Sequence, residues 1–181
     1  MHFQYETKRL FLRILEPSEA EKVLNFQLNN MGYFERYEAS RPANFYTLDY
    51  QKNTLQCEYN MAVQSSLFRY YAFLKGHPDQ IIGTVCYRDI KRAGFFSCET
   101  GYKFDHRYWH HGYASETLEK TIDLMFYEEH LHRIQASVMP ENDASIHLLE
   151  SLGFEQEGIA RQSALVCGQW QDHIRYALIR P

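Results

Sequence analysis

The sequence predicts a mixed α/β fold, in which an antiparallel sheet continues into a parallel crossover. Three strand-like segments follow one another at residues 68–74, 81–88 and 95–104, and turn-forming residues separate them. Helix and strand patterns then alternate over residues 112–152, as in a βαβα unit. A chain of 181 residues is long enough for one full core and too short for two. We therefore expect a single domain over residues 1–181.

The amino-terminal third supplies one strand and two helices. Residues 9–15 (RLFLRIL) alternate polar and apolar side chains, which is typical of a half-buried strand. Pro17 then opens a helical pattern that runs to Leu28. Residues 29–47 lose this periodicity, so they form either a loop or a pair of short helices. Apolar residues at helical spacing predict a longer helix over residues 48–64.

The carboxy-terminal half supplies the crossover and a final hairpin. We expect a helix over residues 112–127, a strand over 134–138 and a second helix over 143–152. Residues 154–179 are predicted to form two strands around a turn at Cys167 and Gly168.

Composition excludes several classes of function. The 19 basic and 23 acidic residues give a net charge of -4, so a general nucleic-acid-binding surface is not implied. No apolar run has the length of a membrane span, and the amino terminus carries no signal-peptide core. The four cysteines lie far apart without paired spacing, which argues against a zinc ribbon. We expect a cytoplasmic protein with reduced thiols and no direct nucleic-acid or membrane partner.

Residues 105–119, DHRYWHHGYASETLE, fall between the third of these strands and the next helix. Helix amino termini carry unpaired N–H groups and a partial positive charge, so a loop that allows close backbone approach can bind a phosphate. Gly112 and Ala114 leave room for such an approach. Neither GxxxxGK[ST] nor GxGxxG occurs, which excludes a P-loop and a dinucleotide fingerprint. An ordinary strand-to-helix turn is the alternative interpretation.

A second group of residues follows in RIQASVMPENDASIHLLESLGF, residues 133–154. Asn142 or Asp143 suits the amino-terminal cap of the helix, and Gly153 suits the left-handed position after its last turn. Capping alone explains each residue. The two groups together, in this order, are more specific than either.

With these motifs the chain resembles the GNAT N-acetyltransferases, and most of all the RimJ/RimL-type branch that acetylates protein amino termini. The resemblance extends from TKRLFLRILEPSEAEKV through CETGYKFDHRYWHHGYASETL and the block from Asn142 to LGF, and ends with GQWQDHIRYALI. It implies the GNAT acyl-CoA N-acyltransferase fold, with a mixed and mostly antiparallel central sheet flanked by helices. It also implies acetyl-CoA as the co-substrate.

The resemblance assigns the acetyl-CoA contacts residue by residue. The family pattern Q/R-x-x-G-x-G/A falls on residues 109–114, where backbone N–H groups are expected to hold the pyrophosphate. The strand end before it is expected to bind the pantetheine arm, and Asn142 to contact that arm further along. The implied cofactor-binding residues are Tyr102, Lys103, Phe104, Trp109, His110, His111, Gly112, Tyr113, Ala114, Ser115 and Asn142.

Acyl transfer to an amine needs a group that removes a proton and a group that stabilises the leaving thiolate. Glu99 matches a carboxylate position of this branch and is the candidate base, acting directly or through a water. Its alternative role is to pair with a basic side chain beside the sheet. Many relatives carry a tyrosine acid where this chain has Leu149. The hydroxyl of Ser145 is therefore the remaining candidate for a hydrogen bond to the CoA sulfur. An ordinary first-turn serine is the alternative.

The adjacent histidines are the clearest departure from the family pattern, which has glycine and a basic residue at His110 and His111. Protonated His111 binds a phosphate more strongly than neutral imidazole does, so we expect CoA affinity to rise at lower pH. His106 and His110 have a ligand-like spacing, but they are predicted to lie across a loop and no HExxH is present. We expect no metal.

The sequence says less about the identity of the acceptor than about the acetyl-CoA site. In this architecture the acceptor enters near residues 33–46 and the turn around Gln169, Trp170 and Asp172, where Glu35 and Glu38 either attract a cationic amine or are solvated loop charges. Three functions stay open: acetylation of a protein amino terminus with ribosomal proteins as precedent, acetylation of a small amine, or a non-catalytic acyl-CoA-binding module. A homodimer is compatible with the sequence, which does not decide the oligomeric state.

Overall fold

The computed structural model describes residues 2–181, which build an eight-stranded sheet with helices on both faces. The order of strands across the sheet is β1-β2-β3-β4-β5-β6-β8-β7. Neighbouring strands are antiparallel except β5 and β6, which are parallel. The strands are β1 (Gln4–Glu6), β2 (Leu10–Arg13), β3 (Phe68–Leu74), β4 (His77–Lys91), β5 (Ser97–Phe104), β6 (Arg133–Val138), β7 (Glu155–Val166) and β8 (Gln169–Ile179).

Five α-helices connect these strands. They are α1 (Ala20–Asn29), α2 (Met31–Phe34), α3 (Leu48–Val63), α4 (Tyr113–Asp123) and α5 (Asp143–Ser151). A short 3-10 turn, Pro17–Glu19, precedes α1. The α4 helix continues into a π-helical turn, Leu124–Glu128. Among residues 2–181, no helix is long and apolar enough to cross a membrane.

The predicted mixed α/β sheet is confirmed, and most predicted elements match the structure within a few residues. The strand at residues 4–6 was missed, because three residues are too few to show an alternating pattern. The predicted helix 112–127 was partly wrong, since regular α-helix ends at Asp123 and the π turn follows. The expected hairpin turn is present, and both Cys167 and Gly168 have positive φ angles, as a tight hairpin turn of this kind requires.

The two faces of the sheet bury different clusters. One face packs against α4 and α5 and includes Tyr70, Tyr87, Leu118 and Leu149. The other packs against α1 and α3 through a cluster that includes Phe26. Because helices cover both faces, β3 is buried along most of its length and β4 is buried from Ile81 to Tyr87.

The parallel pair β5 and β6 separates before β5 ends. Its register runs from Ser97 and Arg133 to Thr100 and Ala136, and no further pairs follow among the described residues. Strand β5 continues to Phe104, paired with β4 but no longer with β6. The sheet therefore has a gap beyond Thr100, and α4 and α5 begin shortly after the two strands that border it.

Candidate active site

The end of β5 presents backbone groups to the gap. Asp105 N donates to Ile82 O at 2.8 Å, and Phe104 lies opposite Gly83, so this pair is of the type without mutual hydrogen bonds. By strand alternation the N–H and C=O of Tyr102 also point away from β4, toward the gap. Those of Lys103 point toward β4. Of the three residues expected to bind pantetheine here, Tyr102 therefore offers its backbone most directly.

Phe104 and Trp109 are joined by a hydrogen bond that the sequence did not indicate. The indole Nε1 of Trp109 donates to the carbonyl oxygen of Phe104 at 2.8 Å. This bond occupies the carbonyl and fixes the start of the loop against the strand end. Of these two residues, the Phe104 ring is buried, while Trp109 is partly exposed.

The α4 helix begins directly after Gly112, whose φ of +74° lies in the left-handed region that favours glycine. Glu116 N donates to Gly112 O at 3.1 Å, which closes the first helical turn. The N–H groups of Tyr113, Ala114 and Ser115 precede this turn and have no acceptor within the helix. They form the kind of amino terminus that binds an anion.

Arg9 reaches this loop from the start of the chain and was missed as a site residue. Its Nη1 donates to His111 O at 2.9 Å, and its Nε donates to Glu116 Oε2 at 2.5 Å. The guanidinium also lies 4.4 Å from the ring centre of Tyr113. Arg9 belongs to the TKRLFLR motif, but nothing local in the sequence links it to a loop about a hundred residues away.

Glu116 anchors this arrangement. It accepts from Thr7 Oγ1 at 2.6 Å, from Arg9 N at 2.8 Å and from the Arg9 guanidinium. Burial raises the pKa of a carboxyl group, but the hydrogen bonds from Thr7 and Arg9 outweigh it and hold the pKa of Glu116 below its usual range. The carboxylate therefore stays charged and ties the turn between β1 and β2 to the first turn of α4.

His111 and His110 lie in the loop with different constraints. The Nδ1 of His111 is 2.6 Å from Trp109 O, and because a carbonyl only accepts, this nitrogen carries the proton. In the neutral ring Nε2 is then an acceptor, and it becomes a donor only on protonation. The His111 ring also stacks on Tyr113. His110 is exposed and has a positive φ of 61°.

On the other side of the gap, α5 begins with the predicted cap. Asn142 Oδ1 accepts from Ser145 N at 3.2 Å, which confirms Asn142 as the N-cap, and Gly153 has a φ of +83°. Ser145 Oγ lies 2.7 Å from the hydroxyl oxygen of Tyr102. Leu149, at the position where many relatives carry tyrosine, is fully buried. The first turn of α5 thus brings a serine hydroxyl beside β5.

Glu99 lies on β5 between two neighbouring strands, opposite Arg88 on one side and Gln135 on the other. Arg88 Nη2 donates to Glu99 Oε1 at 3.0 Å, so the ion pair considered as its alternative role is present. Its side chain projects to the face opposite that of Tyr102, because alternate residues of a strand point to opposite faces. The second carboxylate oxygen has no hydrogen bond among residues 2–181.

The ammonium group of Lys103, one of the residues expected to bind pantetheine, lies on the face of the sheet that α1 covers. Its Nζ lies 2.8 Å from Glu38 Oε1 and donates to Gln27 Oε1 at 3.0 Å. Burial lowers the pKa of Lys103 to about 8, in spite of the attraction of Glu38. Glu38 also pairs with Arg41. It is therefore neutralised rather than available to attract an amine.

The first predicted wall of the acceptor region, residues 33–46, contacts the end of β7 just before the second wall. Ser40 N donates to Leu165 O at 3.3 Å, and Ala39 forms a β-bridge with Val166, next to the hairpin turn. Trp170, just after that turn, is 62% exposed. Farther from the turn on the same sheet, a shallow cleft of about 320 Å³ is lined by Gln135, Glu157, Gly158, Ile159, Ala160 and Arg175.

No cluster of three or more His, Cys, Asp or Glu side chains suited to a metal ion occurs in the part of the chain that the structure describes. The Nδ1 of His106 is instead 2.9 Å from Asn30 Oδ1, and its ring stacks on Tyr33. A structural role in holding α2 against the loop accounts for this histidine.

Comparison with known proteins agrees with this geometry. The model of the acetyltransferase (GNAT) domain matches residues 9–155. The chain is 33% identical to the probable N-acetyltransferase YjcK of Bacillus subtilis, over 96% of each chain. It is 31% identical to the [ribosomal protein uS5]-alanine N-acetyltransferase of Escherichia coli, over 97% of this chain and 90% of that protein.

A solved structure supports the same assignment. The ribosomal-protein-S5-alanine acetyltransferase of Vibrio fischeri superposes with a TM-score of 0.93 at 30% identity, and the match covers 99% of this chain and 100% of that one. This chain therefore belongs to the GNAT acetyltransferase family. Its structure combines the fold with a gap between β5 and β6 and a glycine at the start of α4.

Proposed function

We propose that this protein transfers the acetyl group of acetyl-CoA to the α-amino group of a protein, and that a ribosomal protein is the acceptor. The observation that carries the proposal is the gap beyond Thr100, which lies between the amino terminus of α4 and that of α5. The residues proposed to bind acetyl-CoA and the residues proposed to catalyse the transfer all lie beside this gap. The acceptor class comes from the relatives, two of which are named for the alanine of ribosomal protein S5.

The donor fits the residues at the start of α4. Backbone N–H groups of Tyr113, Ala114 and Ser115 would hold the pyrophosphate, with Trp109, His110, His111 and Gly112 shaping the loop. The backbone of Tyr102 would pair with the pantetheine amides, beside Lys103 and Phe104, and Asn142 would line the opposite wall. The left-handed backbone of Gly112 and the adjacent Arg9 guanidinium support this arrangement.

The chemistry requires that the acceptor amine be neutral when it attacks the thioester. Glu99 would take the amine proton through a water, using the carboxylate oxygen that Arg88 does not bind. Ser145 would donate a hydrogen bond to the sulfur as the carbon–sulfur bond breaks. Both roles are proposals, and they rest on the position of these groups beside the gap.

Location and assembly are less constrained. We propose the cytoplasm, since Cys57, Cys86, Cys98 and Cys167 are free thiols, which suits a reducing compartment. The sequence is compatible with a homodimer but does not decide the oligomeric state.

Free-thiol release tests the function. The protein is incubated with acetyl-CoA and peptides that differ in their first residue, beside amino acids, polyamines and aminoglycosides. We expect thiol release with peptides that carry a free α-amine, and none when that amine is blocked. Thiol release with small amines alone would show that the acceptor is a small amine rather than a protein. CoA binding without thiol release for any amine would indicate a non-catalytic binding module.

A further inference from the structure

The side-chain hydroxyl of Tyr102 crosses the gap to meet the first turn of α5. Its oxygen is 2.7 Å from Ser145 Oγ and 3.3 Å from the carbonyl oxygen of Ser145. The family resemblance attached a role to the backbone of Tyr102 and to the hydroxyl of Ser145. It attached none to the phenol of Tyr102.

Either hydroxyl could be the donor between Tyr102 and Ser145 Oγ, but the carbonyl oxygen of Ser145 can only accept from the phenol. The single phenolic proton is thus directed toward Ser145, where Oγ at 2.7 Å is the nearer acceptor and the carbonyl oxygen at 3.3 Å the weaker one. Burial raises the pKa of Tyr102 to about 12, so the phenol keeps its proton at neutral pH. When Ser145 Oγ accepts from Tyr102, its own proton is free to point elsewhere. Hydrogen bonds in such a chain strengthen one another.

We propose that Tyr102 is a positioning residue that holds the Ser145 hydroxyl with its proton directed into the gap. The proposal rests on the proposed acetyl transfer. In that reaction the amine nitrogen forms a bond to the thioester carbon, the carbon–sulfur bond breaks and its electron pair leaves on sulfur. The amine proton passes to Glu99 through water. Ser145 then donates a hydrogen bond to the sulfur, and Tyr102 donates a hydrogen bond to the Ser145 hydroxyl oxygen.

In this arrangement the tyrosine at the site comes from a different element than in the family pattern. Leu149 occupies the usual tyrosine position on α5 and carries no polar group. The phenol instead comes from β5 and acts through a serine. Asn142 fixes the same serine from its backbone side, because its Oδ1 accepts from Ser145 N. The Ser145 side chain is thus held from two directions.

A double-mutant cycle tests the proposal. Tyr102→Phe and Ser145→Ala each remove one hydroxyl, and one lost hydrogen bond of about 1 kcal/mol corresponds to a fall in kcat of roughly fivefold to tenfold. We expect the double variant to match Ser145→Ala alone, because the phenol acts only through the serine. The KM for acetyl-CoA should stay within about twofold of the original value in all three variants.

Tyr87→Phe is the matched control. The Tyr87 hydroxyl is 2.9 Å from Thr121 Oγ1, so it also joins a strand to a helix through two hydroxyls, but away from the gap. This control should lower the melting temperature and leave kcat unchanged. If Tyr102→Phe is less stable than the control, Tyr102→Met replaces it as a second variant without the hydroxyl.

The outcomes separate the two proposals. Wild-type thiol release with a peptide, together with an unaltered kcat for Tyr102→Phe or independent losses in the double variant, would overturn the role of Tyr102 alone. Absence of release by the wild type with every amine would overturn the proposed function and this role with it. Equal, non-additive losses in kcat support the role.

Discussion

The ammonium group of Lys103 lies 2.8 Å from a carboxylate oxygen of Glu38, and this ion pair joins strand β5 to the segment predicted to border the acceptor region. Lys103 is 11% exposed in its side chain, and it also lies over the ring of Phe34 on α2. The strand that borders the proposed acetyl-CoA gap thus fixes, from its opposite face, the loop that is predicted to face the acceptor. Lys103 therefore connects the proposed donor region to the proposed acceptor region.

Removing this connection should loosen the acceptor region. In Lys103→Met we expect a higher KM for the peptide, a similar KM for acetyl-CoA and a free energy of unfolding lower by about 1–3 kcal/mol, because Glu38 loses a buried partner. Steady-state kinetics and thermal unfolding measure these effects. Lys91→Met, which alters an exposed lysine near Phe95, is the control. Indistinguishable peptide KM values for the two variants would contradict the connection.

Gly83 should be intolerant of a side chain. A Cβ atom at this position would lie 2.1 Å from the ring of Phe104, so the glycine makes room for that ring across β4. We expect Gly83→Ala to lower the free energy of unfolding by about 1–3 kcal/mol through overpacking and to displace the end of β5. Gly32→Ala, where nothing lies within 4 Å, is the control for denaturant unfolding. Equal stability of both variants would mean that Phe104 moves aside freely.

Gly112 should matter for CoA binding beyond its backbone strain. Gly112→Ala places a side chain at a φ of +74°, beside the Arg9 guanidinium. Gly94→Ala imposes the same kind of strain at a φ of +80° in the β4–β5 turn, with open space around it. We expect similar losses of stability, about 1–2 kcal/mol. Calorimetric titration should show weaker CoA binding for Gly112→Ala only, and equal affinities would argue against the loop as a phosphate site.

CoA affinity should rise as the pH falls from 8 to 6. The Nδ1–H of His111 is already used in a hydrogen bond to Trp109 O. Only protonation of Nε2 therefore supplies a donor for a phosphate. The dissociation constant should therefore decrease toward pH 6 in the wild type and change less in His111→Gln. A flat dissociation constant in the wild type would remove the histidine from the phosphate site.

Glu116 should contribute stability that acid removes. Its pKa in the folded protein is below the ordinary value of 4.5, so the folded state binds fewer protons than the unfolded state around that pH. The contribution is present above about pH 4.5 and is lost as the pH falls further. Glu116→Gln should be less stable than the wild type at pH 7, with a smaller difference at pH 3. Glu155→Gln, an exposed carboxylate on β7, is the control in unfolding titrations. A difference that is constant with pH would contradict this charge effect.

The regular elements were predictable because their periodicity is local. The helix predicted over residues 48–64 is α3 at Leu48–Val63, and the cap expected at Asn142 is present. What the sequence could not show are contacts between distant segments. Arg9 meets Glu116 across 107 positions, and Lys103 meets Glu38 across 65. Neither pair has a spacing that a helix or strand would favour, so only the folded chain identifies them.

The candidate site shows the same division. The loop around Gly112 and the serine at position 145 followed from motifs and resemblance. The side-chain direction of Lys103 and the hydroxyl contact of Tyr102 depend on the strand register and on where β5 and β6 separate. A one-residue change in register would exchange the two faces, which no pattern in β5 itself resolves.

The central claim is transfer of acetyl from acetyl-CoA to a protein α-amine. It is tested most directly by mass spectrometry of a peptide that begins with alanine and carries a single lysine, after incubation with the protein and acetyl-CoA. We predict one acetyl group per peptide, located on the α-amine, and no product when that amine is blocked beforehand. Acetylation of the lysine alone, or an unmodified peptide while a small amine is acetylated, would contradict the claim.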